Sequence, residues 1–191
     1  MIRRLLRSGC VLVLLPLGLA QEVPLHDYLG EPFPEIQQAE FLTSENARAI
    51  VARVTGVVGL HTSFELQERT DTQYVAALID PEGRRSIAYN PEINLATDSD
   101  GWIVLGMFAH EIAHHLNLDL LRSESVDHHE VELKADFFAG RVLALLGATL
   151  QEAQLPLNVL PDPVTTSIRP AVIDRLRATE AGWLQGRSEA Q

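Results

Sequence analysis

The chain contains a single cysteine, Cys10, which lies within the first twenty residues. Those residues have the composition of a cleavable signal peptide, so the mature protein would have no cysteine and could form no disulfide. After residue 20 there is also no stretch that approaches the roughly eighteen consecutive apolar residues of a transmembrane helix. We therefore expect a fold that depends on its hydrophobic core, without stable membrane insertion once the signal peptide is removed.

The N-terminus predicts export. Three arginines lie within the first seven residues, and residues 10–20 form an apolar run that is too short to span a bilayer comfortably. Gly18-Leu19-Ala20 offers the small residues that signal peptidase requires. We expect cleavage after Ala20 and a periplasmic or secreted protein. The alternative is a protein anchored to the membrane by an uncleaved N-terminal segment.

Basic residues are scarce. The chain has 15 lysines and arginines against 26 aspartates and glutamates, which gives a formal net charge of −11. Removal of the three N-terminal arginines would make the mature chain more negative still. Without a basic stripe, neither a nucleic acid nor an anionic membrane surface is an expected partner. A protein or peptide substrate remains compatible with this charge.

The most informative motif is His110-Glu111-Ile112-Ala113-His114, an H-E-x-x-H sequence. The eight residues before it are apolar and free of proline, which predicts a buried helix. Positions i and i+4 share one face of a helix, so His110 and His114 can hold a single metal ion. Glu111 would lie near the same ion, where it could accept a proton from water. His115 is offset by about 100° from His114 and is expected to point away, with a surface or capping role.

A second motif, Glu132-Leu-Lys-Ala-Asp136, lies on the apolar segment Val131–Leu146, which predicts another helix. A catalytic zinc ion takes three protein ligands and keeps a fourth position for water. Glu132 is the natural third ligand. Asp136, one turn later, can accept a hydrogen bond from the outer nitrogen of a ligating histidine and fix its tautomer. Glu130 would lie on roughly the opposite face.

Other residues could supply the third ligand. Asp119, His128 and His129 come after the first motif at distances that a loop could bridge. A histidine six residues after His114, which a metzincin would require, is absent because Leu120 stands at that position. The metzincin class is therefore excluded, while Asp119 and the histidine pair remain alternatives to Glu132.

The two motifs resemble the HtpX and CAAX-prenyl-protease family of gluzincin metallopeptidases, in its small soluble bacterial form. The similarity extends over roughly residues 45–180 and includes His110–His115, Glu132–Gly140 and Ile87–Pro91. It implies a zinc endopeptidase with one Zn²⁺ per chain, held by His110, His114 and Glu132. It also implies that Glu111 is the general base and that Asp136 supports a ligand from outside.

One departure from this family concerns the region before the last helix. Members often carry a His-Pro pair there, with an arginine five residues later. Pro170 and Arg175 fit that spacing, but Arg169 takes the place of the histidine. Arg169 could donate hydrogen bonds to a developing oxyanion, or it could cap a neighbouring element.

The order of the elements predicts an α+β fold, and the resemblance implies a minimal zincin (gluzincin) fold. Such a fold is helix-rich, with a small three-stranded sheet beside the H-E-x-x-H helix. Residues 21–42, with three prolines, would form an extended leader, and residues 43–191 a single metallopeptidase domain. Besides the two motif helices, the patterns predict a helix from Thr43 or Ser44 to about Thr55, strands over Thr62–Arg69, Gln73–Ile79 and Arg85–Asn90, a turn at Asp80–Gly83, and a closing helix over Pro170–Trp183.

The last predicted strand, Ser86–Asn90, comes directly before the H-E-x-x-H helix. We expect it to be an edge strand that pairs with an extended substrate through backbone hydrogen bonds. Tyr89 and Asn90 are then candidates for contact with the substrate or its oxyanion. Aromatic packing and a turn before Pro91 are the simpler explanations for the two residues.

The sequence therefore predicts a zinc-dependent endopeptidase that hydrolyses peptide bonds of exported or envelope proteins, with protein quality control as one such role. One alternative is a non-catalytic zinc-containing periplasmic interaction or assembly factor. Another is a zinc hydrolase that acts on a non-peptide amide, such as a cell-wall crosslink. Glu111 favours an enzyme, because a structural zinc site has no use for a base.

Overall fold

The computed structural model describes residues 42–60, 64–93, 98–121, 127–160 and 169–191. The predicted signal peptide and nearly all of the predicted leader lie outside these residues. Among the described helices, none is both long enough and apolar enough to cross a bilayer.

Helices provide most of the described structure. The helices are α1 (Ser44–Val57), α2 (Asp98–Leu116), α3 (His128–Leu145), α4 (Leu150–Ala153), α5 (Leu155–Val159) and α6 (Val172–Glu189), with a 3-10 helix at Asp119–Leu121. The strands are β1 (Glu65–Glu68), β2 (Val75–Ile79) and β3 (Arg85–Tyr89). The prediction of an α+β fold with two motif helices and a three-stranded sheet is thus confirmed.

The sheet has the strand order β1-β3-β2. β2 and β3 form an antiparallel hairpin, in which Ala77 lies opposite Ile87, and β1 pairs with β3 in parallel. The predicted turn between β2 and β3 is present, with Gly83 at a φ of 80° and its N–H donating to Asp80 O at 2.9 Å. β3 is thus paired along both of its edges, with β1 on one side and β2 on the other.

This strand order corrects one prediction. Ser86–Asn90 was expected to form a free edge that binds substrate, but β3 is the central strand of the sheet. The hairpin with β2 could be predicted from the turn, whereas the parallel pairing of β1 joins segments that are distant in sequence. The edge that remains beside α2 belongs to β2.

Helix α2 runs through the centre of the described structure. Every residue from Ile103 to His115 is buried, and the helix packs against the sheet on one side and α3 on another. Its apolar residues form the main core with the buried face of α1, for example Val51 and Val54. The polar residues of the H-E-x-x-H motif consequently lie inside the protein, where each must find a partner.

Helices α3 and α6 pack in close contact because glycines line their interface. A Cβ atom on Gly182 would overlap the Phe137 carbonyl, and one on Gly140 would overlap the Thr179 carbonyl. These obstacles are backbone atoms of a neighbouring helix, which cannot move aside as the end of a flexible side chain could. The glycines therefore fix the distance between the two helices and, with it, the position of Arg175 on α6.

We expect Gly182→Ala to lower the free energy of unfolding by about 1–3 kcal/mol, because the added methyl group forces α3 and α6 apart. Gly56→Ala is the matched control, since a Cβ atom at this exposed position on α1 meets nothing within 4 Å. It should raise the free energy of unfolding by up to about 1 kcal/mol through helix propensity. Urea unfolding of both variants tests this difference, and equal stability of the two would contradict the packing argument.

Candidate metal centre

Two helices bring three predicted ligands together. His110 and His114 lie one turn apart on α2, and their Nε2 atoms are 3.1 Å from each other. The Glu132 carboxylate on α3 approaches both rings, with Oε2 at 3.6 Å from His110 Nε2 and Oε1 at 3.3 Å from His114 Nε2. All three side chains are buried. The structure thus brings the two imidazoles and the carboxylate to one common point, and their role as metal ligands stays a prediction.

The outer nitrogen of each imidazole faces a carboxylate. His110 Nδ1 lies 3.0 Å from Asp136 Oδ1, and His114 Nδ1 lies 3.3 Å from Asp119 Oδ2. A carboxylate accepts a hydrogen bond, so each Nδ1 is best assigned as the protonated, donating nitrogen. The two Nε2 atoms then face each other and the Glu132 oxygens. A positive charge at this point, from a proton or from a metal ion, would stabilise the arrangement.

The carboxylates of the site favour such a positive charge. Burial alone would lower the pKa of His110, but Glu132 and Asp136 more than offset it and raise the pKa above its ordinary value. Burial likewise opposes protonation of His114, yet its hydrogen bonds to Asp119 and Glu132 raise its pKa. The two histidines are therefore easier to protonate than an exposed imidazole. A metal ion that binds here competes with protons for the same nitrogens.

The site can hold a metal ion. His110, Glu111 and His114 each offer one ligand atom within 4.8 Å of the others, and all three residues are buried. Glu132 fits the ligand position better than Glu111, because it approaches both Nε2 atoms at 3.3 and 3.6 Å. A four-coordinate ion with bonds of ~2.0–2.1 Å separates its ligands by ~3.3–3.4 Å. The described donor atoms are already close to that separation.

Glu111 is held by the sheet. Its Oε2 accepts a hydrogen bond from the Ala77 N–H at 2.9 Å, and its side chain is buried. Ala77 lies in β2, where alternate N–H groups point toward β3 and away from it, and the N–H of Ala77 is one that points away. Burial raises the pKa of Glu111, against the lowering effect of the two histidines. The sequence offered no signal for this contact, because the donor is a backbone group.

A buried arginine completes the network. Arg175 on α6 donates from Nε to Asp136 Oδ2 at 2.8 Å and from Nη2 to Asp136 Oδ1 at 2.9 Å. Its Nη2 is also 3.9 Å from Glu132 Oε2. Burial alone would raise the pKa of Asp136, but the Arg175 guanidinium outweighs it and lowers the pKa. The spacing from Pro170 drew attention to Arg175 in the sequence, but it did not indicate which carboxylate Arg175 binds.

His115 contradicts its predicted surface or capping role. It is 1% exposed, its Nε2 lies 2.8 Å from the Ser86 carbonyl, and its ring stacks on Phe64. Burial lowers the pKa of His115 to about 4, so the ring is neutral and Nε2–H donates to Ser86. This histidine therefore joins α2 to β3. The helical offset from His114 was correct, but the other face of α2 is covered by the sheet.

The residues predicted to contact the substrate form contacts within the fold instead. Tyr89 is fully buried, its hydroxyl donates to Glu68 Oε1 at 2.9 Å, and its ring packs on Phe108. Asn90 Oδ1 accepts a hydrogen bond from the Glu92 N–H, as expected for a turn. The simpler explanations thus account for both residues. Arg169 is buried just before α6, and its oxyanion role stays a prediction.

The other residues considered for the third ligand position do not face the two Nε2 atoms. Asp119 lies behind His114 at Nδ1, on the side of the ring away from Glu132. His128 and His129 begin α3, where Asp127 caps the helix. Glu130 is exposed and pairs with Lys134 at 2.6 Å, in agreement with its predicted outward orientation. Of the residues weighed from the sequence, Glu132 is therefore the one that faces both Nε2 atoms.

Comparison with protein-family models, with curated proteins and with solved structures finds no match for this chain. Any assignment of function must therefore be argued from the motifs and from the geometry of this centre.

Proposed function

We propose that this protein is a zinc-dependent endopeptidase with a minimal zincin fold, related to the HtpX and CAAX-prenyl-protease family. The observation that carries the proposal is the convergence of His110 Nε2, His114 Nε2 and the Glu132 carboxylate beside the buried Glu111. Two imidazoles and one carboxylate, with a fourth position left for water, form the ligand set of a catalytic zinc site. A purely structural zinc site would have four protein ligands and no adjacent base.

Zinc held by His110, His114 and Glu132 would polarise the scissile carbonyl and lower the pKa of the attacking water. Glu111 takes a proton from the attacking water and later delivers it to the leaving amine. The Ala77 N–H holds the Glu111 carboxylate in place through Oε2. Because burial raises the pKa of Glu111, this carboxylate is a stronger base than an exposed one.

The position of Ala77 shows which strand edge runs past the candidate base. The N–H groups of Val75, Ala77 and Ile79 alternate with those that pair with β3, so they line the outer edge of β2. This edge runs past Glu111, because Ala77 donates to it. Val75 and Ala77 are each only 1% exposed, and the Ala77 N–H already donates to Glu111. This edge is therefore covered in the structure and offers no open row of N–H groups to an extended peptide.

A cavity lies beside His110, on the side of the ring that faces Asp136. It has a volume of about 40 Å³ and also borders Asp136 and Arg175. Its other walls are mainly apolar: Met107, Ala139, Leu143, Ala153, Pro156, Leu157 and Leu160. The cavity therefore lies behind the His110 ring, on its Nδ1 side, and not beside the point where the two Nε2 atoms and Glu132 meet.

The test is cleavage of a peptide library by purified protein loaded with one equivalent of zinc. Mass spectrometry should detect internal cleavage products. A chelator should stop the reaction, and added zinc should restore it. If the protein binds zinc stoichiometrically but cleaves none of the library, the peptidase proposal is wrong and a non-catalytic zinc protein is favoured.

A further inference from the structure

The end of helix α2 contains an unusual backbone conformation next to the metal centre. Leu118 has a φ of 59°, and among the described residues it is the one non-glycine residue with positive φ. Residues other than glycine rarely adopt this left-handed backbone conformation. The Leu118 side chain is 44% exposed, so the conformation does not serve to bury it. Strain of this kind points to a function for the residues that the turn positions.

The next residue is Asp119, which contacts His114. In a continued α-helix, Asp119 would lie about 140° around the axis from His114 and could not reach its ring. The helix instead ends at Leu116, the Asn117 N–H still donates to Ala113 O at 2.8 Å, and the chain reverses at Leu118. This reversal brings Asp119 Oδ2 to 3.3 Å from His114 Nδ1, in a side chain that is 0% exposed.

We propose that Asp119 is a positioning residue for the metal centre, and that the left-handed turn at Leu118 exists to place it. Asp119 fixes His114 with Nδ1 protonated, so that the Nε2 lone pair faces the ion. Asp136 does the same for His110 from α3. Each imidazole thus has its own carboxylate. Only Asp136 belongs to the Glu132–Asp136 motif, and Asp119 lies outside both motifs. The inference rests on the proposed metal centre, but not on peptide cleavage.

The experiment measures zinc affinity by competition with a chelator. Asp119→Ala should weaken zinc binding by about 10–100-fold, the usual effect of removing the outer partner of a ligating histidine. Asp119→Asn keeps an oxygen that can accept the Nδ1–H, so it should recover most of this loss. Visible spectra of the cobalt-substituted proteins should change for Asp119→Ala and not for Asp119→Asn. A residue with a merely structural role would leave the cobalt spectrum of the folded protein unchanged.

The turn is tested separately. Leu118→Gly retains the left-handed conformation and should leave zinc affinity within about twofold of the parent. Leu118→Val disfavours that conformation and should weaken zinc binding at least about threefold, because it displaces Asp119. Leu121→Val is the control, since Leu121 is also exposed but has no positive φ. Unchanged zinc affinity in Asp119→Ala would overturn the proposal, and so would equal affinities of the two Leu118 variants. Because cleavage is not the readout, neither result depends on the peptidase proposal.

Discussion

Glu111→Gln is expected to abolish peptide cleavage while the protein still binds one zinc ion per chain. General base catalysis contributes roughly 10²–10⁴-fold to rate, and glutamine cannot take a proton from water. The fold should survive, because the amide oxygen of glutamine can still accept the hydrogen bond that Ala77 donates to Glu111. Zinc stoichiometry by mass spectrometry and turnover of a fluorogenic peptide, measured on the same sample, separate these two effects.

The matched control is Glu130→Gln. Glu130 is exposed on α3 and pairs with Lys134, so this variant makes the same chemical change outside the centre. Its turnover should stay within about twofold of the parent, since exposed pairs of this kind contribute little. Activity in Glu111→Gln equal to that of the parent would refute the assignment of the base. Loss of zinc together with activity would instead indicate that Glu111 is a ligand.

Arg175→Met is expected to lower the free energy of unfolding by about 3–5 kcal/mol, because it leaves a buried carboxylate without its cation. Arg175 is 1% exposed and binds both oxygens of Asp136, which is also buried. Methionine fills a similar space but supplies no charge and no donor. Zinc affinity should fall as well, since Asp136 supports His110 and would become easier to protonate. Urea unfolding of the metal-free protein and chelator competition measure the two effects.

Arg177→Met provides the comparison within the same helix. Arg177 is exposed and pairs with Asp174 at 3.2 Å. This surface pair is worth roughly 1 kcal/mol at most, so the variant should unfold close to the parent. Similar stability of the Arg175 and Arg177 variants would show that the buried network contributes no more than a surface pair. A double change, Arg175→Met with Asp136→Leu, should recover stability but not zinc affinity.

The sequence predicted the parts of the site that depend on local geometry. The spacing of His110 and His114 fixes their common face as soon as the segment is helical, and the same holds for Glu132 and Asp136. The apolar residues around both motifs predicted the helices, and the structure confirms them over Asp98–Leu116 and His128–Leu145. Small differences at the helix ends do not affect this result, because the motifs lie inside the helices.

Predictions that depended on which segments meet were less successful. The β3 segment was expected at an edge, but a parallel pairing with β1 places it in the centre. His115 was expected at the surface, yet the sheet covers that face of α2. Asp119 was considered as a ligand, and the turn at Leu118 brings it behind His114 instead. None of these contacts can be deduced from a repeat along one helix or strand.

By itself the sequence determined the chemical set: two imidazoles, a candidate base and a carboxylate pair, each on a helix with a known repeat. Only the tertiary structure decided how the set is supported, through Arg175 from α6, Ala77 from β2 and Asp119 after a left-handed residue. The physical reason is the range of the interactions. Helical periodicity is set by hydrogen bonds between near neighbours, whereas the partner of a buried charge is set by packing between elements that are far apart in the chain.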